Sequence, residues 1–355
     1  MQPFQLLETA LGASAVSFER RVRNRITLPL VLLAGLSFAA SNARAAPIEL
    51  RFGAGYAQGE LLSKPIEKFA DLIKEKSKGE ISPRVFYQSL GTEQQLTQSV
   101  MSGTVDIGEL ANGNASRFTN AFLVYDLPFL FKKYDNLISS LDSEPGRKVI
   151  AQFEKDLGVK YLFAISNAVG RDVQTRAKSL KTPADIKGLK IRVVSSPIDL
   201  ATFKAWGANP APVDTSQVYS ATQQGVVDGV QFPLTFLLTS KLYEVVKYSI
   251  SIEYQAATEL VFMNAKKFTS LSPAHQAVLL DAAKETQAWG IIAARELAEK
   301  AVKEMAAHGL VIHKPTPEEY NQWAAVREKV WEEVAKQQSG KIDLELARAI
   351  YAQQP

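Results

Sequence analysis

Among 355 residues, one arginine sits in the middle of a strand-like run. GLKIRVVSS, Gly188 to Ser196, alternates with period two, which puts Leu189, Ile191 and Val193 on one face and Lys190, Arg192 and Val194 on the other. A guanidinium on a strand offers a planar fork of donors that matches a carboxylate, and packing can hold it still. An arginine facing water satisfies the same periodicity, so the pattern alone leaves both roles open.

Other chemistry is sparse. FGAGYAQG (Phe52 to Gly59) follows a strand pattern, but its spacing is GxGxxxG, and no lysine and Ser/Thr follow as in a phosphate loop, so it reads as a strand-to-helix turn. There is no GxSxG elbow and no SxxK with its companions. The absence of cysteine excludes disulfides, thiolate metal sites and a cysteine nucleophile. His275, His308 and His313 lie in the last quarter without paired-ligand spacing, so neither a metal nor a cofactor is expected. Carboxylates are plentiful, yet no pattern selects a catalytic pair, and stretches such as KEKSKGE read as solvated faces. Trp289, Phe262 and Tyr254, like Trp206, Trp323 and Trp331, read as core.

The elements that must position Arg192 alternate between strand and helix, which argues for an α/β fold with mainly parallel sheets. IELRFGAG, an amphipathic helix from Glu60 to Gly79 and ISPRVFY form a βαβ opening. A short helix from Thr92 to Gly103, the strand TVDIGEL, the stretch YDLPFLF, a helix near Ser140 to Leu157 and KYLFAIS follow. After Arg192, Ser196 can cap a helix, with Pro197 in its first turn and Gly207 at its end. DTSQ (Asp214 to Gln217) has capping-box spacing, and VVDGVQF reads as a strand. Ser272 to Gly309 is one helical pattern, long enough to cross between domains.

RRVRNR (Arg20 to Arg25), a 15-residue apolar run (Ile26 to Ala40) and an A-x-A site (Ala43 to Ala45) have the order of a signal peptide over residues 1–45; a span needs roughly 20 residues. Without its five arginines and two glutamates, the totals of 41 basic and 37 acidic residues become 36 and 35. The mature chain is therefore nearly neutral and lacks the basic stripe of a nucleic-acid binder. Its length fits two domains at roughly 150 residues each, and an exported cysteine-free chain fits the bacterial periplasm.

LKTPADIKGLKIRVVSSPIDLATFKAWGANPAPVDTSQVYSATQQGVVDGVQFP (Leu180 to Pro233), with the earlier FYQSLGTEQQLTQSVMSGTVDIG and YDLPFLF, closely resembles the substrate-binding receptors of tripartite ATP-independent periplasmic (TRAP) transporters, of the dicarboxylate-receptor type. The resemblance covers nearly the whole mature chain. It implies a two-lobed periplasmic binding protein (type II-like), with mixed, mainly parallel α/β sheets, a hinge, and a long helix at about 273–308 spanning both lobes. Lobe one would take residues 46–169 and about 258–297, and lobe two 170–257 and about 298–355. Such a monomeric receptor is not an enzyme. It closes on an organic acid and delivers it to TRAP membrane permease subunits driven by an ion gradient. The alternatives are a periplasmic enzyme of similar fold acting on an organic acid and the receptor of an ATP-driven importer.

The resemblance also implies site residues. The arginine of the KIRV strand, here Arg192, holds the ligand carboxylate in such receptors. Arg171 in NAVGRDVQT matches a second arginine in a GxR context, shifted by one. Asn114 and Arg117 in NASRF, Ser195, and Tyr56 with Ala57 fall on further contact regions. Two departures bear on the ligand: Phe232 replaces the asparagine of a frequent DGQENP, and Thr215 replaces a frequent aromatic. Losing that amide disfavours a heavily hydroxylated sugar acid or sialic acid and favours a monocarboxylate with an apolar or aromatic body, or a short oxo or hydroxy acid.

Overall fold

Alternation and capping set most element boundaries in the computed structural model, which describes residues 46–56, 58–59 and 61–354. The leader, its A-x-A site and Ala57 lie outside the described residues. Eleven strands are described: β1 Ile48–Ala54, β2 Ile81–Tyr87, β3 Ile107–Ala111, β4 Val159–Ser166, β5 Arg171–Thr175, β6 Lys190–Val193, β7 Asn209–Pro212, β8 Gly229–Phe232, β9 Tyr248–Gln255, β10 Thr258–Asn264 and β11 Val311–His313. They form a five-stranded sheet ordered β2-β1-β3-β10-β4 and a six-stranded sheet ordered β11-β9-β5-β8-β6-β7. β1 pairs in parallel with β2 and β3, β8 with β6, β6 with β7, and β9 with β11. The strands nearest the crossings between sheets, β10 and β5, pair antiparallel on both sides.

The chain thus builds two lobes and crosses between them at Ser166 to Arg171 and at Gln255 to Thr258. In the first lobe, Phe52, Ile66, Phe69, Ile73 and Val261 form a core between the sheet and the helix Lys64–Lys76. Its other face covers Phe122, Tyr125, Phe153 and Phe262. The second lobe packs Phe203, Trp206, Tyr254 and Trp323 on one side and Val218, Val230 and Leu237 on the other. Near Ser140 two helices form, Asp135–Leu141 and Glu144–Leu157, because Ser143 caps the second through Gly146 N, with Pro145 in its first turn. In YDLPFLF the 3-10 turn Ala121–Asp126 leads into irregular chain.

Two elements bind the lobes together. Ser272 caps the helix Pro273–Ala307, whose 35 residues extend about 52 Å. Leu279, Ala282 and Ala283 pack in the first lobe, and Met305 packs against Val218 and Leu237 in the second. The chain then continues from β11 and Trp323 back to the first lobe, where Trp331, Val334 and Ile350 pack beside Phe122 and Tyr125. Gln354 finishes this segment by accepting from Lys132 N and Asn136 Nδ2 and donating to Leu130 O. Among the described residues, no helix is long and apolar enough to cross a membrane.

Gly229 fixes how β8 lies against its neighbours. A Cβ there would fall 2.3 Å from Gln174 O and 3.0 Å from Ile191 Cδ1. Backbone cannot yield as a side-chain end can, so Gly229→Ala is expected to lower stability by roughly 1–3 kcal/mol in urea unfolding. An unchanged midpoint would show that β8 has more room than this packing allows.

Candidate functional site

Arg192 leaves solvent entirely: on β6 only 1 % of its surface is exposed. Its Nε donates to Val213 O at 2.9 Å and one terminal nitrogen donates to Thr215 Oγ1 at 3.2 Å. The guanidinium lies 4.5 Å over the Phe232 ring, which itself stacks on Phe236 at 4.4 Å. Nη1 is buried without a hydrogen-bond partner. Burial pulls the guanidinium down to about 10, and Arg171 adds repulsion. The side chain therefore stays charged at neutral pH with one donor group unused.

Local folding supplies this setting. Thr215 begins a 3-10 turn, and the expected capping box does not form: Asp214 makes no side-chain cap, while Gln217 N donates to Asp214 O. The Thr215 hydroxyl is instead drawn to Arg192. Ser196 caps the next helix, Pro197–Ala205, accepting from Ile198 N and Asp199 N. That cap places Asp199 in the first turn, where an acidic group suits the helix dipole.

Arg171, at the head of β5, has a side chain 12 % exposed and lies 3.6 Å from Asp199 Oδ2. It also donates to Gln231 Oε1 at 3.4 Å. Asp199 accepts from Tyr254 OH at 3.2 Å and Gln231 Nε2 at 3.4 Å. Burial opposes the Arg171 charge, but Asp199, Tyr254 and Asp126 outweigh it and hold its pKa up. Burial also raises Asp199, against the pull of Arg171. From the first lobe, Gly113 leaves room where a Cβ would sit 3.5 Å from an Arg171 terminal nitrogen and 3.8 Å from Asp126 Oδ1. Asp126 Oδ1 accepts from Asn112 Nδ2, while Oδ2 is buried without a partner.

The remaining predicted residues divide. Tyr56 and Asn114 join a cluster on lobe one: Tyr56 OH donates to Glu259 Oε1 at 3.0 Å, and Asn114 Nδ2 donates to Glu93 Oε2 at 2.7 Å. Arg117 is exposed and donates to Gln94. Ser195 is exposed, and no side-chain hydrogen bond is described for it. Sequence reasoning missed Asp126, Asp199, Gln231, Glu93, Glu109 and Glu259. Carboxylates and amides are too common to stand out, and only strand pairing could have joined Glu109 to Glu259.

Two cavities, of about 680 and 500 Å³, lie elsewhere; Phe129, Glu253 and Tyr320 help line the first, and Arg176, Tyr219 and Lys247 the second. Neither is lined by Arg192 or Arg171. Unpaired buried atoms, rather than empty volume, mark the candidate site. Among the described residues, no group of three or more His, Cys, Asp or Glu is arranged to hold a metal ion.

The buried carboxyls have a signature in solution. Burial pushes Asp126 up to about 8, despite Arg171, and burial with Glu93 beside it pushes Glu259 to about 8. The folded state then binds more protons than the unfolded state between about pH 4 and 8, so stability falls as pH rises through that window. Asp126→Asn and Glu259→Gln are each expected to flatten the decline of Tm between pH 5 and 8. Parallel profiles for wild type and variants would overturn this assignment.

The profile of the bacterial extracellular solute-binding proteins, family 7, matches residues 52–338. The 2,3-diketo-L-gulonate-binding periplasmic protein YiaO of Escherichia coli K12 is 34% identical over 256 residues, covering 72% of this chain and 77% of that one. A TRAP periplasmic solute-binding protein from Ralstonia eutropha H16, with bound (S)-2-acetolactate, superposes with a TM-score of 0.77 at 29% identity, covering 86% of this chain and 98% of the other. A second, from Ochrobactrum anthropi, with a C-terminus bound in its ligand-binding pocket, gives a TM-score of 0.79 at 28% identity, covering 86% and 94%.

Proposed function

Since the chain belongs to family 7 of the bacterial extracellular solute-binding proteins, the TRAP receptors, we propose that it binds an organic acid between its lobes, with Arg192 as the carboxylate anchor. The observation that carries this reading is the buried, charged and incompletely paired Arg192 guanidinium. Leaving such a donor unmet is costly, and a carboxylate entering an open cleft meets it with a charge-assisted bond. Arg171 stands close enough to repel Arg192, so an anion between them would lower the energy of both. Thr215 and Phe232 orient the anchor, while Tyr56, Asn114, Arg117 and Ser195 are assigned to the surrounding contacts. The leader would direct the chain to the periplasm, where closure hands the acid to a TRAP membrane permease. The apolar Phe232 and Phe236 surface beside the anchor supports a monocarboxylate with an apolar or aromatic segment, or a short oxo or hydroxy acid.

A thermal-shift screen of carboxylic acids tests the anchor. A ligand at one hundred times its Kd adds about 2.7 kcal/mol of stability to the wild type. Arg192→Met is expected to weaken binding by about 30-fold or more, equivalent to about 2 kcal/mol or more. Free of ligand, this variant should melt no lower than wild type, because it removes an unpaired buried charge. Equal ligand shifts in both proteins would falsify the anchor role.

A further inference from the structure

Lobe one presents the opposite charge to the arginines. Glu109 on β3 and Glu259 on β10 lie on one face of the sheet, because Glu109 pairs with Val261 and Glu259 is two residues before it. Like-charged side chains in this diagonal relation repel. Glu93 joins them from the N-terminus of the helix Glu93–Ser102, where it accepts from Ala111 N and Asn114 Nδ2. Glu109 Oε1 accepts from Gly55 N at 2.6 Å. Its other oxygen, Oε2, is buried without a donor, and the residue is only 2 % exposed. Tyr56, Arg117, Arg171 and Tyr134 are the other titratable groups facing the three. Of these, Arg171 is already engaged with Asp199, and Arg117 bonds Gln94 at the surface. The cluster therefore has carboxylate capacity that the protein's own cations leave uncompensated.

Resting on the carboxylate-receptor reading, we propose that the ligand also carries an ammonium group, read by Glu109 and Glu259 with Glu93 in support, so that the receptor selects amino carboxylic acids. A hydroxyl would satisfy one lone pair and bring no charge to favour ionised carboxylates; an ammonium supplies up to three donors and a positive charge. Burial, reinforced by neighbouring carboxylates, raises both Glu109 and Glu259, the latter to about 8, so Glu259 holds its proton at neutral pH in the empty protein. Ammonium binding ionises Glu259 and releases its proton to solvent.

The test uses the full protein and carboxylates of three to eight carbons, each unsubstituted, ω-hydroxylated or ω-aminated, titrated by thermal shift and calorimetry. An amino acid of at least one chain length is expected to bind tenfold or more tightly than its hydroxy partner. That preference should fall below threefold in the Glu109→Gln, Glu259→Gln double variant. Wild-type affinity for the amino acid should weaken up to tenfold per pH unit below about 8. Its binding heat should vary with buffer ionisation enthalpy, reporting proton release, while the hydroxy acid's heat should not. This last arm needs no variant and stands if the double variant fails to fold. Equal affinity for amino and hydroxy acids, or buffer-independent heats, overturns the ammonium assignment and leaves the carboxylate reading intact. Binding that requires a divalent cation and vanishes with chelator overturns it as well. No shift with any carboxylate overturns both.

Discussion

A guanidinium withdrawn from water is the constraint around which the second lobe is arranged. Desolvating a cation costs several kcal/mol, and the protein offsets only part of this with one carbonyl, one hydroxyl and one aromatic face. The choice of arginine follows from that cost. Burial lowers Arg192 to about 10 and leaves it charged, whereas a lysine starts about two units lower and would approach neutrality under the same pressure. In the proposed anchor role, the unpartnered Nη1 would act as stored affinity, since a carboxylate reaching it would complete a shell already aligned by β6 and the Thr215 turn.

The hinge holds this arrangement against the other lobe. Both crossings between sheets are tied by side chains: Tyr134 OH and Asn167 Nδ2 donate to Ala257 O, Asn112 Oδ1 accepts from Thr258 N, and Gln255 Nε2 donates to Asp126 O. Arg171 begins its strand immediately after the first crossing, on the same sheet as Arg192. It stands between Asp199 of the second lobe and Asp126 of the first. Because β5 and β6 belong to one sheet, the two arginines keep their spacing when the lobes move; a hinge rotation would instead change the distance from Arg171 to Asp126, and an anion contacting both lobes would favour the closed arrangement. Population shift by ligand then needs only this difference in contact energy between open and closed states.

Much of the scaffold was legible because it depends on local rules. The period-two strands, the Thr92 and Ser196 caps and the Pro273 helix start all follow from residues close in sequence. Local spacing failed at DTSQ, where Asp214 and Gln217 form no capping box and the chain makes a 3-10 turn whose Thr215 bonds Arg192. The burial of Arg192 was the reading that periodicity left open, since strand alternation identifies a face and does not say what covers it. What covers it here is β8 with Phe232 and the Val213 to Thr215 segment, some twenty to forty residues downstream. The carboxylate wall was less legible still, because Glu109 and Glu259 meet only through the pairing of β3 with β10.

The departure at Phe232 shows how the two walls divide their work. An asparagine at this position could donate or accept beside the anchor; this chain puts an aromatic ring there. The ring does not act as a polar contact. It lies beneath the guanidinium and is held flat by Phe236, so its effect is to fix Arg192 and shield it from water. Lobe two consequently offers donors and apolar surface, with Gln231 already committed to Arg171 and Asp199. Acceptors are concentrated on lobe one, in Glu93, Glu109 and Glu259. On the proposed reading, a ligand that closes both lobes is asymmetric, presenting an acceptor to one wall and donors to the other, whereas a symmetric diacid would set a second carboxylate against the acidic wall.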